Sequence, residues 1–139
     1  MANDFEVSVD VAVPADTAWA LAGDPVRIIE WFDPVTEIAM DGDTRTATMG
    51  NGAVLVERIV DRDDTARTYS YEVLSGIPGL TSHRATIAVD ATDGGSRVRW
   101  RQVATSDVEG YDIESRLAGV MSGGLENLRA VLEGANPQS

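Results

Sequence analysis

The stretch FEVSVDVAVPADTAWALAGDPVRIIEW, residues 5–31, decides the fold. In residues 5–13, apolar side chains alternate with polar ones, which is the pattern of a half-buried β-strand. Pro14 ends this strand and opens a short helix, which Gly23 terminates. Asp24 is placed to cap a second short helix directly after it. The stretch therefore predicts one strand followed by two short helices.

Six further strand-like runs follow, separated by short breaks rich in glycine and aspartate, which favour antiparallel hairpins. They cover residues 35–40, 45–49, 53–62, 68–74, 82–91 and 97–105. From Tyr111 the apolar residues recur at helical spacing until Gly134 ends the run. A seven-stranded antiparallel sheet must cover its apolar face, and only this C-terminal helix is long enough. A strongly curved sheet around one helix leaves a space, which is often a ligand cavity.

Composition narrows the possible functions. Residues 1–134 are expected to form one domain, and residues 135–139 a flexible C-terminal tail. The net charge of −12 argues against partners such as nucleic acid and anionic membranes. No signal peptide or membrane span is evident, so a cytoplasmic protein is expected. Without cysteine and with one histidine, no metal site and no cofactor are expected, while a monomer and a homodimer both remain open.

Strand alternation sorts the side chains that face the long helix. In residues 82–90, His83 and Ala85 share the apolar face, whereas Arg84 lies on the opposite face. Three arginines at alternate positions mark the outer face of residues 97–104. The same sorting places further side chains inside, namely Leu55, Glu57, Ile59, Tyr69, Tyr71, Trp100 and Gln102.

The helices supply the remaining candidates for the cavity wall. Trp31, at the end of the second short helix, is expected to be an apolar wall, and the long helix contributes Val120 and Gly124. A helical glycine costs up to about 1 kcal/mol relative to alanine. Its small size would enlarge the cavity, or it would allow close contact with a strand or a kink.

The element order resembles the helix-grip fold of the START-like, or SRPBCC, superfamily, which includes birch-pollen-type allergens, plant abscisic acid receptors and polyketide cyclase/dehydratases. The resemblance extends over nearly the whole chain and is carried by VDVAVPADTAWALAGDPVRIIEW, ERIVDRDDTARTYSYEVLSG, SHRATIAVDA and GLENLRAVLE. It implies an α+β helix-grip fold, with a seven-stranded curved antiparallel sheet around a long C-terminal helix, two short helices and an internal ligand cavity. In the receptors, the position of the ligand-anchoring lysine corresponds to Ile29, so a carboxylate clamp of that type is missing here.

The resemblance implies a hydrophobic, polyketide-like or polycyclic small molecule as ligand. In the receptors, the positions matching Glu57, Tyr71, His83 and Trp100 face the ligand. Glu57 and His83 are the candidate catalytic pair, because a carboxylate and an imidazole can transfer the protons that cyclisation, aromatisation or dehydration requires. The alternative is a non-catalytic binder: a carrier, a sequestering resistance protein or a sensor. The other inward residues are candidate ligand contacts in either case.

Overall fold

The computed structural model describes residues 3–134, so the expected C-terminal tail lies outside the described residues. A strand and a helix come first, β1 (Asp4–Val11) and α1 (Ala15–Ala22), followed by a 3-10 turn (Arg27–Glu30). Six strands follow: β2 (Val35–Asp41), β3 (Thr44–Met49), β4 (Val54–Asp63), β5 (Thr68–Ser75), β6 (Ser82–Thr92) and β7 (Gly95–Thr105). The long helix α2 (Ile113–Gly134) ends the described chain.

The seven strands form one antiparallel sheet in the order β1-β7-β6-β5-β4-β3-β2. Consecutive strands from β2 to β7 are joined as hairpins, and β1 pairs with β7 over its whole length. This confirms the predicted curved sheet around a long C-terminal helix. The apolar face of the sheet packs against α2, whose Met121, Leu125 and Leu128 are buried, because these residues recur at the spacing of one helical face.

The outer face of the sheet is a set of cross-strand ion pairs. The arginines of β7 point to solvent, as the alternation predicts, and Arg97 and Arg101 bind Asp10 and Asp4 of β1. Exposed pairs of this kind contribute about 0–1 kcal/mol each. They therefore mark the solvent side of the sheet and leave the opposite face to the core.

The second predicted short helix is instead a single 3-10 turn, Arg27–Glu30. The side chain of Asp24 accepts a hydrogen bond from the backbone N–H of Val26 at 3.0 Å and so turns the chain before the helix begins. Pro25 cannot donate a backbone hydrogen bond, and Pro34 disfavours helix in the residue before it. The two prolines flank the segment, and only Arg27–Glu30 is helical within it.

Candidate functional site

A cavity of about 120 Å³ lies between the sheet and α2. The wall of the cavity is mostly apolar. Val120, which is 39% exposed, lies where the cavity meets solvent. The lining residues come from the segment after α1, strands β2 to β7, the β5–β6 loop and α2. They are Ile28, Phe32, Pro34, Val35, Arg45, Ala47, Met49, Leu55, Glu57, Tyr71, Val73, Ile77, His83, Trp100, Gln102, Leu117, Val120 and Met121.

The charged part of the wall is a buried ion pair between Arg45 and Glu57. The two residues are direct cross-strand partners on β3 and β4, and Arg45 Nε donates to Glu57 Oε1 at 2.7 Å. Arg45 Nη1 also donates to the carbonyl oxygen of Pro25 at 2.8 Å and to the hydroxyl of Tyr69 at 3.3 Å. Arg45 is 1% exposed and Glu57 5%. The opposite charge of the partner and the further hydrogen bonds of Arg45 offset part of the cost of burying the pair.

Arg45 stays charged in this setting. Burial alone would lower the pKa of its guanidinium, but the interactions with Tyr69 and with the Glu57 carboxylate outweigh burial and raise that pKa above its ordinary value. The Arg45 guanidinium also lies over the ring of Tyr71, with Cζ 4.9 Å from the ring centroid. The wall therefore carries one positive and one negative charge in contact.

Tyr71 is the centre of a second polar group. Its hydroxyl oxygen accepts hydrogen bonds from Trp100 Nε1 at 3.0 Å and from Gln102 Nε2 at 3.4 Å. Burial raises the pKa of Tyr71, and the nearby Glu57 carboxylate raises it further, so the phenol stays protonated. Because the indole and the amide are the donors in both bonds, the O–H of Tyr71 remains able to donate to a ligand.

His83 is held as a neutral imidazole with one defined tautomer. Its Nδ1 accepts a hydrogen bond from the backbone N–H of Val73 at 3.0 Å, so the proton lies on Nε2, which donates to Gln102 Oε1. Burial lowers the pKa of His83, although the hydrogen bond with Gln102 partly opposes this. With both ring nitrogens engaged, the imidazole orients Gln102 and, through it, the hydroxyl of Tyr71.

Seven of the twelve predicted site residues line the cavity, and these are Leu55, Glu57, Tyr71, His83, Trp100, Gln102 and Val120. Glu57 and His83 make no hydrogen bond to each other among the described contacts. Glu57 binds Arg45, and His83 binds Val73 and Gln102. The structure thus brings both predicted catalytic residues to one cavity but gives each a separate partner.

The other five predicted residues do not line the cavity, for two reasons. Tyr69, Ala85 and Ile59 share the inner face of the sheet, but α1 and the cavity occupy different parts of that face. Tyr69 packs under α1 against Trp19, with ring centroids 6.3 Å apart. Ala85 is fully buried in the core, and Ile59 is partly buried and packs against the core.

Trp31 and Gly124 lie one layer behind the cavity wall. Trp31 packs edge-to-face on Trp100, with ring centroids 5.5 Å apart, and against Phe32, and these two rings line the cavity in its place. A Cβ at Gly124 would come within 2.6 Å of Phe32 Cδ1. The glycine therefore admits the Phe32 ring against the helix and does not enlarge the cavity, which favours the close-contact explanation, with Phe32 as the partner.

Arg45 is the polar residue that the sequence interpretation missed. In β3 the residues Arg45, Ala47 and Met49 alternate with threonines, so the pattern places the arginine on the apolar face. That alternation was the available signal. Its meaning depends on the β3–β4 register, which sets Glu57 directly opposite.

Within residues 3–134, no group of three or more histidine, aspartate or glutamate side chains is placed to bind a metal ion. The helices in this part of the chain are too short or too polar to cross a membrane.

Residues 2–133 match the family described as polyketide cyclase / dehydrase and lipid transport. The chain belongs to that family. No curated protein matches the chain in sequence. The family match covers nearly the whole chain.

Solved structures show the same fold at low sequence identity. The protein XoxI from Bacillus cereus is 22% identical with a TM-score of 0.88, and 99% of each chain is covered. The ZhuI aromatase/cyclase from Streptomyces sp. R1128 is 18% identical with a TM-score of 0.78, covering 94% of this chain and 93% of its own. A START superfamily protein from Mycobacterium smegmatis is 13% identical with a TM-score of 0.75, covering 96% and 99%. These similarities show that the chain has the same fold as these structures.

Proposed function

We propose that this protein binds a hydrophobic small molecule in the cavity between the sheet and α2, and that binding itself is its activity, as a carrier, a sequestering protein or a sensor. The proposal rests on one observation. Most polar groups of the cavity wall form hydrogen bonds with one another, and the rest of the wall is apolar. Arg45 is neutralised by Glu57, and both ring nitrogens of His83 are engaged. Such a wall is suited to bind a ligand without converting it into another molecule.

A cavity-filling substitution tests this proposal. Ala47 lines the cavity and is buried, whereas Ala39 on the neighbouring strand β2 is exposed. A phenyl ring is about as large as the cavity, since an engineered cavity of about 150 Å³ in another protein holds benzene. We expect Ala47→Phe to abolish binding of an apolar fluorescent dye and Ala39→Phe to leave it unchanged. Equal binding by both variants would place the ligand elsewhere.

Native mass spectrometry of protein purified from its own host extends the test to the natural ligand. We expect a co-purified molecule with wild-type protein and none with Ala47→Phe. Incubation then separates binding from chemistry, because a bound ligand is recovered unchanged. A ligand that is recovered as a different molecule would contradict the non-catalytic proposal.

Catalysed cyclisation, aromatisation or dehydration is the second candidate, and one observation favours it. Glu57 Oε2 has no hydrogen-bond partner among residues 3–134 and lies on a wall that also carries Arg45 and Tyr71. In that reaction Glu57 accepts a proton from an acidic carbon, while the N–H of Arg45 and the O–H of Tyr71 stabilise the resulting enolate oxygen. His83 acts here as a positioning residue for Gln102. Two proteins of similar fold, the ZhuI aromatase/cyclase and the di-domain ARO/CYC BexL, support the same class of reaction.

Glu57→Gln decides between the two candidates once a ligand is known. If chemistry occurs, turnover is lost while a product analogue still binds. If the protein only binds, Glu57→Gln leaves no reaction to lose. His83→Asn is the companion variant, and a positioning role predicts a partial loss of turnover with a changed KM.

A further inference from the structure

The charges of the cavity wall sum to zero. Among the lining residues, Arg45 and Glu57 are the two that carry a charge, and they bind each other at 2.7 Å. His83 is held neutral by its two hydrogen bonds. A ligand that brings a further charge would bury it without a partner, which costs several kcal/mol. The net charge of −12 on the chain adds a long-range repulsion for anions.

The wall nevertheless offers polar atoms that have no partner. Arg45 Nη2 donates to no atom of residues 3–134, because Nε and Nη1 make the hydrogen bonds of that side chain. The O–H of Tyr71 is also free to donate, since its oxygen accepts from Trp100 and Gln102. Both residues line the cavity, and Arg45 is almost fully buried. A ligand oxygen in the cavity is the acceptor that these donors lack.

The size of the cavity limits the apolar part of the ligand. At about 120 Å³ it lies below the range of about 300–1,000 Å³ that is usual for sites of drug-sized ligands. It is closer to the engineered cavity of about 150 Å³ that holds benzene. Trp100 and Phe32, whose rings meet edge-to-face at 75° with their centroids 5.2 Å apart, form one aromatic side of this space.

We infer that the ligand is an uncharged molecule with a single ring and a carbonyl or hydroxyl oxygen, which is bound by Arg45 Nη2 and the Tyr71 hydroxyl. This inference rests on the proposed function, because it names the ligand class of the same cavity. It differs from the sequence-based expectation of a polycyclic ligand. The difference comes from the cavity volume, which the strand pattern does not reveal, and from Arg45, which the sequence interpretation missed.

Three probes of nearly identical shape test two requirements separately: that the ligand is uncharged, and that it carries an oxygen atom. Acetophenone is uncharged and carries the carbonyl oxygen, benzoate replaces its methyl group by a charged oxygen, and α-methylstyrene replaces the carbonyl oxygen by CH2. The sequence contains no lysine, so no side-chain amine can form an imine with the ketone. By isothermal titration calorimetry near neutral pH, we expect acetophenone to bind at least about tenfold more tightly than either of the others.

Size is tested with 2-acetylanthracene, which carries the same acetyl group on three fused rings. We expect no binding of this probe. Glu57→Gln tests the charge balance, because it leaves the charge of Arg45 without a counter-charge and should move the preference from acetophenone to benzoate. Glu37→Gln, on the exposed edge strand, is the matched control and should keep the wild-type order.

The outcomes separate this inference from the proposed function. Benzoate binding as tightly as acetophenone to the wild-type protein overturns the inferred absence of charge. Tighter binding of 2-acetylanthracene than of acetophenone overturns the inferred size, while the cavity remains a ligand site. If no probe of any size binds and dye binding does not respond to Ala47→Phe, the proposed function fails and the inference fails with it. The wild-type comparisons need no variant to fold.

Discussion

Arg45 Nε donates a 2.7 Å hydrogen bond to Glu57 Oε1 across two antiparallel strands, and both side chains point into the same cavity. The two side chains neutralise each other, so that neither presents an unpaired charge to a ligand. A cavity with two charged side chains therefore behaves as an uncharged polar site. The stability of the fold and the ligand preference of the cavity therefore depend on the same ion pair.

Removal of one partner is expected to destabilise the fold strongly. Arg45→Met leaves the Glu57 carboxylate buried without a cation, and we expect the free energy of unfolding to fall by about 3–5 kcal/mol. Urea denaturation measures this loss. Arg58→Met, on the outer face of the same hairpin, is the control and should change the value by no more than about 0.5 kcal/mol.

The double variant Arg45→Met/Glu57→Met should recover most of the stability, because it replaces the pair by apolar groups of similar size. If the double variant is as unstable as Arg45→Met alone, an unpaired buried charge is not the cause of the loss.

His83 should make stability depend on pH. Burial lowers the pKa of His83 below its ordinary value of 6.5, so the unfolded chain binds a proton at a higher pH than the folded chain does. The free energy of unfolding therefore decreases as pH falls through about 6.5 towards the folded pKa, and it is restored above about 6.5.

Denaturation at a series of pH values checks this prediction, with His83→Gln as the variant that should lose the slope in that window. His83 is the single histidine of the chain, so one imidazole NMR signal reports its titration. A midpoint above 6.5 would show that the folded state favours the charged ring.

The glycines of α2 offer a matched comparison. Gly124→Ala would place a Cβ 2.6 Å from the buried Phe32 ring, and we expect a loss of about 1–3 kcal/mol from overpacking, partly offset by helix propensity. A Cβ at Gly123 meets no atom within 4 Å, so Gly123→Ala should raise the free energy of unfolding by up to about 1 kcal/mol. Thermal denaturation of both variants measures the difference. Equal stabilisation by both would mean that Phe32 moves aside without cost.

Loss of the Tyr71 hydroxyl should leave two buried donors without an acceptor. Trp100 Nε1 and Gln102 Nε2 both donate to that oxygen, so Tyr71→Phe should cost about 1–3 kcal/mol and weaken acetophenone binding. Tyr111→Phe is the control, because its hydroxyl makes one half-buried bond of 3.3 Å to the carbonyl of Pro78. We expect a smaller loss of stability and no loss of binding for the control. The same loss of binding in both variants would argue against a ligand contact at Tyr71.

Strand alternation was sufficient to predict the sheet and the direction of most inner side chains. The apolar face of β6 and the solvent-facing arginines of β7 follow directly from period two, because a one-residue shift would expose every core residue. The 3-10 turn after α1 was predicted as a longer helix, since helical propensity does not show how the two prolines limit the segment.

The composition of the cavity could be predicted only in part. Alternation tells which residues point inward, but the position of α1 over the sheet decides that Tyr69 becomes core and Tyr71 becomes wall. The partner of Glu57 required the register of two strands, and the burial of Trp31 behind Trp100 required the packing of two rings. These are relations between elements, and the local pattern of one segment does not contain them.

The register of the β3–β4 hairpin has a consequence for how this cavity can change during evolution. Arg45 and Glu57 meet because twelve positions separate them around one turn. Substitutions at lining positions such as Ala47 or Leu55 can reshape the space gradually and leave the ion pair intact. A one-residue insertion or deletion within either strand would instead rotate one of the two charges to the outer face. Divergent descendants of this protein should therefore vary in cavity size while keeping the length of this hairpin fixed.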